Sequence, residues 1–260
     1  MKGFVKMIIA GAIIIGVGIA VLLIALGLNG WSFVPNFEMQ EFTSTEVNSS
    51  VSVHLSTGRL KIEYTDEEYI QITYPTARGY ETTVNENDGK LTLESNKHKW
   101  YIFTWGATIP ETIVKIPRDK INEVLITMNA GTVDMCDGEF ETVKIKVNAG
   151  TCNVGNVTCL ELMDIDVNAG TVNVSKASGN KIICDVSAGA ANLKQIDCGT
   201  TEVKVSAGTA NLSFLGEKSD YAATVDVSAG SCNGLTTQSG GDKNITVRVS
   251  AGSCNVSFGS

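Results

Sequence analysis

The sequence predicts an all-β protein: a single-stranded β-solenoid (β-helix) of about seven regular 19–22-residue coils plus irregular first coils, preceded by one N-terminal transmembrane helix. Three observations carry this expectation. An unbroken apolar run lies near the N-terminus, a short phrase recurs seven times through the second half, and a period-two alternation flanks each recurrence.

Met7 to Leu28 is a run of 22 residues without a charged or strongly polar side chain, and thirteen of them are Ile, Leu or Val. At about 1.5 Å per residue a helix of that length reaches about 33 Å, enough to cross a hydrocarbon core about 30 Å thick. Ala25 and Gly27 are small enough for a cleavage site, but a secretory apolar region is about 7 to 15 residues long, so the run reads as an uncleaved anchor. Lys2 and Lys6 precede it and no acidic residue does, which makes 1–6 a short cytoplasmic tail and 7–28 the transmembrane helix. The expected location is therefore the cell membrane, single-pass, with the N-terminus cytoplasmic and the bulk of the chain extracytoplasmic. Trp31 and Phe33 suit an outer interfacial belt at the start of a linker over 29–45. Ala12, Gly16 and Ala20 recur at intervals of four, a candidate face on which a second helix could pack closely.

Setting aside Lys2 and Lys6 from the 20 basic residues leaves 18 against 28 acidic ones, a formal charge of −10 on the exported part. Such a surface repels phosphate backbones, so nucleic acid is excluded as a partner.

The recurring phrase is V-N/S-A-G-T. Its alanines are Ala130, Ala149, Ala169, Ala188, Ala207, Ala229 and Ala251, spaced by 19, 20, 19, 19, 22 and 22 residues. Two and four residues before each Ala stand apolar, mostly β-branched side chains such as Ile145 and Val147 or Val203 and Val205, the signature of a strand. The alternation resumes with a shifted phase after Gly131, Gly150, Gly170, Gly189, Gly208, Gly230 and Gly252. Those seven glycines read as corners at which a strand turns while keeping its apolar face inward. Two short strands and a corner every 19–22 residues describe one solenoid coil over 129–260, and stacked coils share a core. Outward positions repeat too. Asn or Ser precedes each Ala, Thr or Ser usually follows each Gly, and Asn153, Asn173, Asn192, Asn211, Asn233 and Asn255 stand three past their Gly, with Asp134 in the first copy. Stacked identical side chains predict hydrogen-bonded ladders.

Residues 46–128 read as irregular first coils and a cap. L-S-T-G-R-L-K-I around Gly58 has the same corner grammar, Ile70 to Ile72 and Leu91 to Leu93 alternate, and Asn85 to Gly89 is a turn cluster.

The S-T-G-R-L-K-I stretch at 56–62, the phrase T-I-V-K-I-P at 112–117 and the S/N-A-G-T corners together resemble the bacterial putative-adhesin family over roughly 46–260. That resemblance implies an extracytoplasmic β-solenoid of the cell envelope, often membrane-anchored, and supplies no catalytic residues.

Chemistry-bearing residues are sparse. His54 and His98 lie in different early segments, too few and too far apart in sequence for a Ser-His-Asp or Cys-His arrangement. The seven cysteines lack zinc spacing, and Cys152, Cys184, Cys232 and Cys254 occupy columns where other coils hold Val, Ile or Ala, so they read as buried thiols. Cys232 and Cys254 share one column on adjacent coils, within reach of a bridge but with parallel Cβ vectors. No catalytic residue, metal ligand or cofactor is assigned. The expected function is a non-enzymatic, surface-displayed binding module for cell-wall polymer, a glycan or a membrane-protein partner. The alternative is an accessory regulator or sensor of envelope stress acting through a membrane partner.

Overall fold

A computed structural model describes residues 17–24, 27, 36–77, 80–97, 108–118 and 120–259. Residues 17–24 are helical. Among the described residues no helix is long and apolar enough to cross a membrane, and most of the expected span 7–28 lies outside them.

The recurring phrase forms a parallel stack. The half-coil before each corner pairs in register with its neighbours, as in Ile126↔Ile145, Ile145↔Ile165, Ile165↔Cys184 and Cys184↔Val203. The half-coil after the corner does the same through Val133↔Cys152, Cys152↔Val172, Val172↔Ala191 and Ala191↔Ala210. A shorter third side closes each turn, with Val157↔Ala177 and Ala177↔Ile196 in register. The chain therefore winds around an apolar core to which each side contributes every second residue. Val147, Val154 and Val157 from one turn are all buried. This follows from the alternation, because a strand sends successive side chains to opposite faces.

The order of the coils departs from the order of the sequence. Simple succession would leave 243–258 as the exposed end. Instead Lys243–Val249 lies between Ala190–Val205 and Tyr221–Val227, with Val203↔Val247 and Val247↔Val225 paired. Likewise Ser253–Phe258 lies between Thr209–Phe214 and Ser231–Asn233. Packing explains the exchange. Leu212 and Phe214 need apolar neighbours on the next coil, and Val256 and Phe258 supply them; the Phe214 and Phe258 rings stack at 5.5 Å. The 221–233 coil stops at Gly234 (φ +83), where the chain turns away, so it fits only on the outside. Residues 234–242 then fold back over its edge: Ala223 N donates to Gln238 O and Gln238 N to Ala223 O, both at 2.9 Å. Such cover protects an edge strand from unwanted pairing.

The opposite end uses the same device. Strand Ser50–Leu55 lies between Lys90–Lys97 and Glu123–Met128, and Gly58–Thr65 lies between Glu111–Pro117 and Gly131–Met135. The first coil in sequence is thus the second in space. Antiparallel strands finish this end. Tyr80–Asn87 and Lys90–Lys97 form a hairpin closed by Asp88 and Gly89, both at positive φ (51 and 72) as a two-residue turn between twisted strands requires. The stretch expected as linker contains strand Glu38–Thr43, which pairs antiparallel with Gln71–Thr76 and forms the outer edge. The Glu86 carboxylate ties the chain beyond it to the hairpin, accepting from Thr45 N (2.9 Å), Thr45 Oγ1 (2.8 Å) and Asn48 Nδ2 (2.6 Å).

Candidate functional site

Each half-coil after a corner points two residues outward, one and three past the Gly, and in the stack these make two columns. The first holds Thr132, Thr151, Thr171, Ala190, Thr209, Ser253 and Ser231 in spatial order. The second is one continuous ladder. Asn153 Nδ2 donates to Asp134 (2.7 Å), Asn173 to Asn153 (2.9 Å) and Asn192 to Asn173 (2.8 Å). Asn211 then donates to Asn192 (2.7 Å), Asn255 to Asn211 (2.8 Å) and Asn233 to Asn255 (2.9 Å). Every amide points the same way, and the row ends on the Asp134 carboxylate. A second, shorter ladder runs along the corner, Asn168 to Asn148 and Asn148 to Asn129, both at 2.7 Å.

This amide face has unspent hydrogen-bonding capacity. A side-chain amide has two N–H donors and two lone pairs, and the ladder uses one of each per interior Asn. One donor and one acceptor therefore remain on every interior rung. Rungs repeat about every 4.8 Å along the axis, and the hydroxyl column lies two residues, about 6.6 Å, along the strand from the amides. Beyond Asp134 the register places Lys61, which pairs with Glu63 at 2.9 Å. Its ammonium pKa is raised, first by the hydrogen bond and charge of Glu63, with smaller help from Glu111 and Asp134. Aligning Gly58 with Gly131 by eye would have placed Lys61 in the amide column.

The half-coil before each corner shows a different exterior, the charged face. Its outward columns change from turn to turn, as in Lys146, Asp166, Asp185 and Lys204, and they carry the ion pairs Lys146–Asp166 (3.0 Å) and Lys181–Glu202 (2.7 Å). Both faces cover the same core.

The seven corner glycines stack directly, with Gly58 before them: Gly58, 131, 150, 170, 189, 208, 252 and 230 in spatial order. A Cβ on Gly150 would lie 2.2 Å from the Gly131 carbonyl oxygen, and one on Gly189 2.2 Å from that of Gly170. Of the seven, only Gly131 and Gly150 have left-handed φ (+133 and +115), so close approach rather than backbone conformation is what all seven share. Of the candidate helix face, Ala20 is exposed on the described helical stretch, whereas Ala12 and Gly16 lie outside the described residues.

All seven cysteines are free. Burial pushes the thiols of Cys152, Cys159, Cys198 and Cys254 up to about 12 and that of Cys136 to about 11, and raises Cys184 and Cys232 as well. Protonated, enclosed thiols are poor nucleophiles. Cys232 pairs in register with Cys254 and, where burial was expected, is only half-buried. His54 Nε2 lies 3.2 Å from Ser52 Oγ, and His98 is outside the described residues. Among the described residues no group of three or more His, Cys, Asp or Glu side chains is arranged to hold a metal ion.

Residues 48–259 match the Toastrack DUF4097 family. The chain belongs to that family. Among solved structures it resembles a putative adhesin from Parabacteroides distasonis at 10% identity and a TM-score of 0.50, covering 85% of this chain and 97% of that one. A putative adhesin from Parabacteroides merdae (11% identity, TM-score 0.49) and a putative lipid binding protein from Parabacteroides distasonis (11%, 0.49) each cover 85% of this chain and 96% of their own. At such identities the likeness concerns the fold. No curated protein matches the chain.

Proposed function

We propose that this Toastrack protein is a membrane-anchored, extracytoplasmic binding module, non-enzymatic, whose amide face contacts a component of the cell envelope or of a neighbouring surface. The observation that carries the reading is the uniformity of that face. Its two outward columns keep Thr or Ser, with Ala190 the one exception, and Asn through successive coils, while the charged face, built on the same core, mixes Lys, Asp, Glu and Thr along its outward columns. Strand geometry alone does not demand the uniformity, since the charged face forms without it. Amides and hydroxyls suit binding because they offer donors and acceptors whose protonation does not change near neutral pH. The apolar run Met7 to Leu28 supports the anchor, and Lys2 and Lys6 before it support the outward orientation. The structural relative named a putative adhesin fits a binding role.

A photo-crosslinking residue placed at Thr171 on the amide face, and in a second strain at Thr246 on the charged face, tests the reading in intact cells. The expected result is a covalent adduct captured from Thr171 and not from Thr246. Equal capture from both, or capture from Thr246 alone, contradicts it.

A further inference from the structure

We infer that the partner of the amide face is an uncharged, hydroxyl-rich polymer lying along the solenoid axis, a glycan strand in chemical class. The inference rests on the binding reading above and adds the chemistry of the partner.

Charge is the first argument. From Thr151 to Asn233 the two outward columns carry no ionisable side chain, on a chain whose formal net charge is −8. An anionic polymer meets no cation there and is repelled by the rest of the molecule. A cationic one finds only the Asp134 carboxylate, which already accepts from Asn153.

Hydrogen-bond capacity is the second. Each interior rung offers one amide N–H and one lone pair, and all but the Ala190 rung set these beside a Thr or Ser hydroxyl that both donates and accepts. Sugar hydroxyls donate and accept in the same way, so donor and acceptor numbers match rung by rung. An extended peptide binds instead by adding to a free strand edge. On the amide face the interior strands are paired on both sides, Thr171–Val186 for example with Thr151–Val167 and Ala190–Val205, which leaves no edge for a peptide.

Repetition is the third. Six coils, from the one holding Thr151 to the one holding Ser231, span about 24 Å at about 4.8 Å each. A polymer meets them as many weak contacts in series, and tethered contacts add affinity without any one being strong.

The test uses the full chain in detergent micelles with chitin beads as the uncharged glycan and polyglutamate and polylysine resins as charged comparisons. The expected result is retention on chitin alone, unchanged at about 1 M salt where the Debye length is only about 3 Å. Replacing Thr171→Lys together with Thr209→Lys should lower retention at least about tenfold, a loss of about 1.4 kcal/mol. The charged-face variant Thr246→Lys should retain normally and shows that the loss is local. Salt-sensitive retention on either charged resin, with none on chitin, overturns the glycan assignment. If Thr171 crosslinks a partner in cells in that case, the binding face survives and only its chemistry was wrong. Chitin retention that both variants leave unchanged also overturns the inference, because the glycan then binds elsewhere.

Discussion

The charged face and the amide face are two exteriors on one interior. Behind both lie columns of buried Val, Ile, Leu and Cys set by the same alternation, and between them runs the same line of stacked glycines. Outside, one face mixes lysine, aspartate and glutamate from coil to coil, and the other repeats hydroxyl and amide. The difference teaches which features the solenoid needs. It needs the apolar columns and the corner glycines, and it tolerates almost anything outside, so a uniform exterior asks for a reason beyond folding.

The strongest way to break the comparison is to damage what both faces share. Gly189→Val would drive a side chain into the Gly170 carbonyl, 2.2 Å from the new Cβ. We expect a loss of about 4 kcal/mol or more, at the upper end for single substitutions, read as a collapse of the denaturant midpoint. Next comes the shared core. The enclosed Cys152 thiol titrates near 12 in the folded chain, against an ordinary value of 9.0. A folded-state pKa raised in this way gives stability that is complete below the unfolded pKa and is lost as pH rises through the folded one. Stability should therefore fall above pH about 9, by about 1.4 kcal/mol per pH unit for each fully enclosed thiol. Denaturant melts of Cys152→Val across that range should show a shallower slope.

Two smaller effects sharpen the contrast. Asn173→Leu removes a rung bonded on both sides and should cost about 1 to 2 kcal/mol. Lys181→Leu, which breaks only an exposed ion pair on the charged face, should change stability by less than about 1 kcal/mol. One expected change is a gain. Thr201 is fully buried behind the charged face, in a column that holds Met163, Ile182 and Ile245 on nearby coils, and its hydroxyl has no hydrogen-bond partner among the described residues. Thr201→Val keeps the shape and should stabilise by about 1 kcal/mol in the same melts.

The faces were legible in the sequence because both rest on period two. Ile145 and Val147 before a corner, and Cys152 and Val154 after it, are buried as their spacing indicates, and the Asn column forms the ladder that its spacing predicts. Gly58 joins the glycine stack as its corner phrase suggests. The order of the last coils was not legible from the repeat itself. Val225 and Val247, or Cys232 and Cys254, are equivalent in their columns, so matching columns cannot choose which coil lies inside. The deciding residues stand just beyond the phrase: N-L-S-F at 211–214 matches N-V-S-F at 255–258, while the coil at 231–233 ends on Gly234. Strand Glu38–Thr43 was hidden for a different reason. Five of its six side chains are exposed, and no apolar alternation marks it.

The central claim is that the amide face serves binding in addition to folding. The most direct measurement is retention of folded Thr171→Lys and Thr246→Lys on purified cell-wall material, with the thermal midpoint of each recorded alongside. The account predicts midpoints close to the parent for both variants and a loss of retention for Thr171→Lys alone. A Thr171→Lys variant that keeps full retention, or one whose midpoint falls steeply while retention per folded molecule is unchanged, would contradict it.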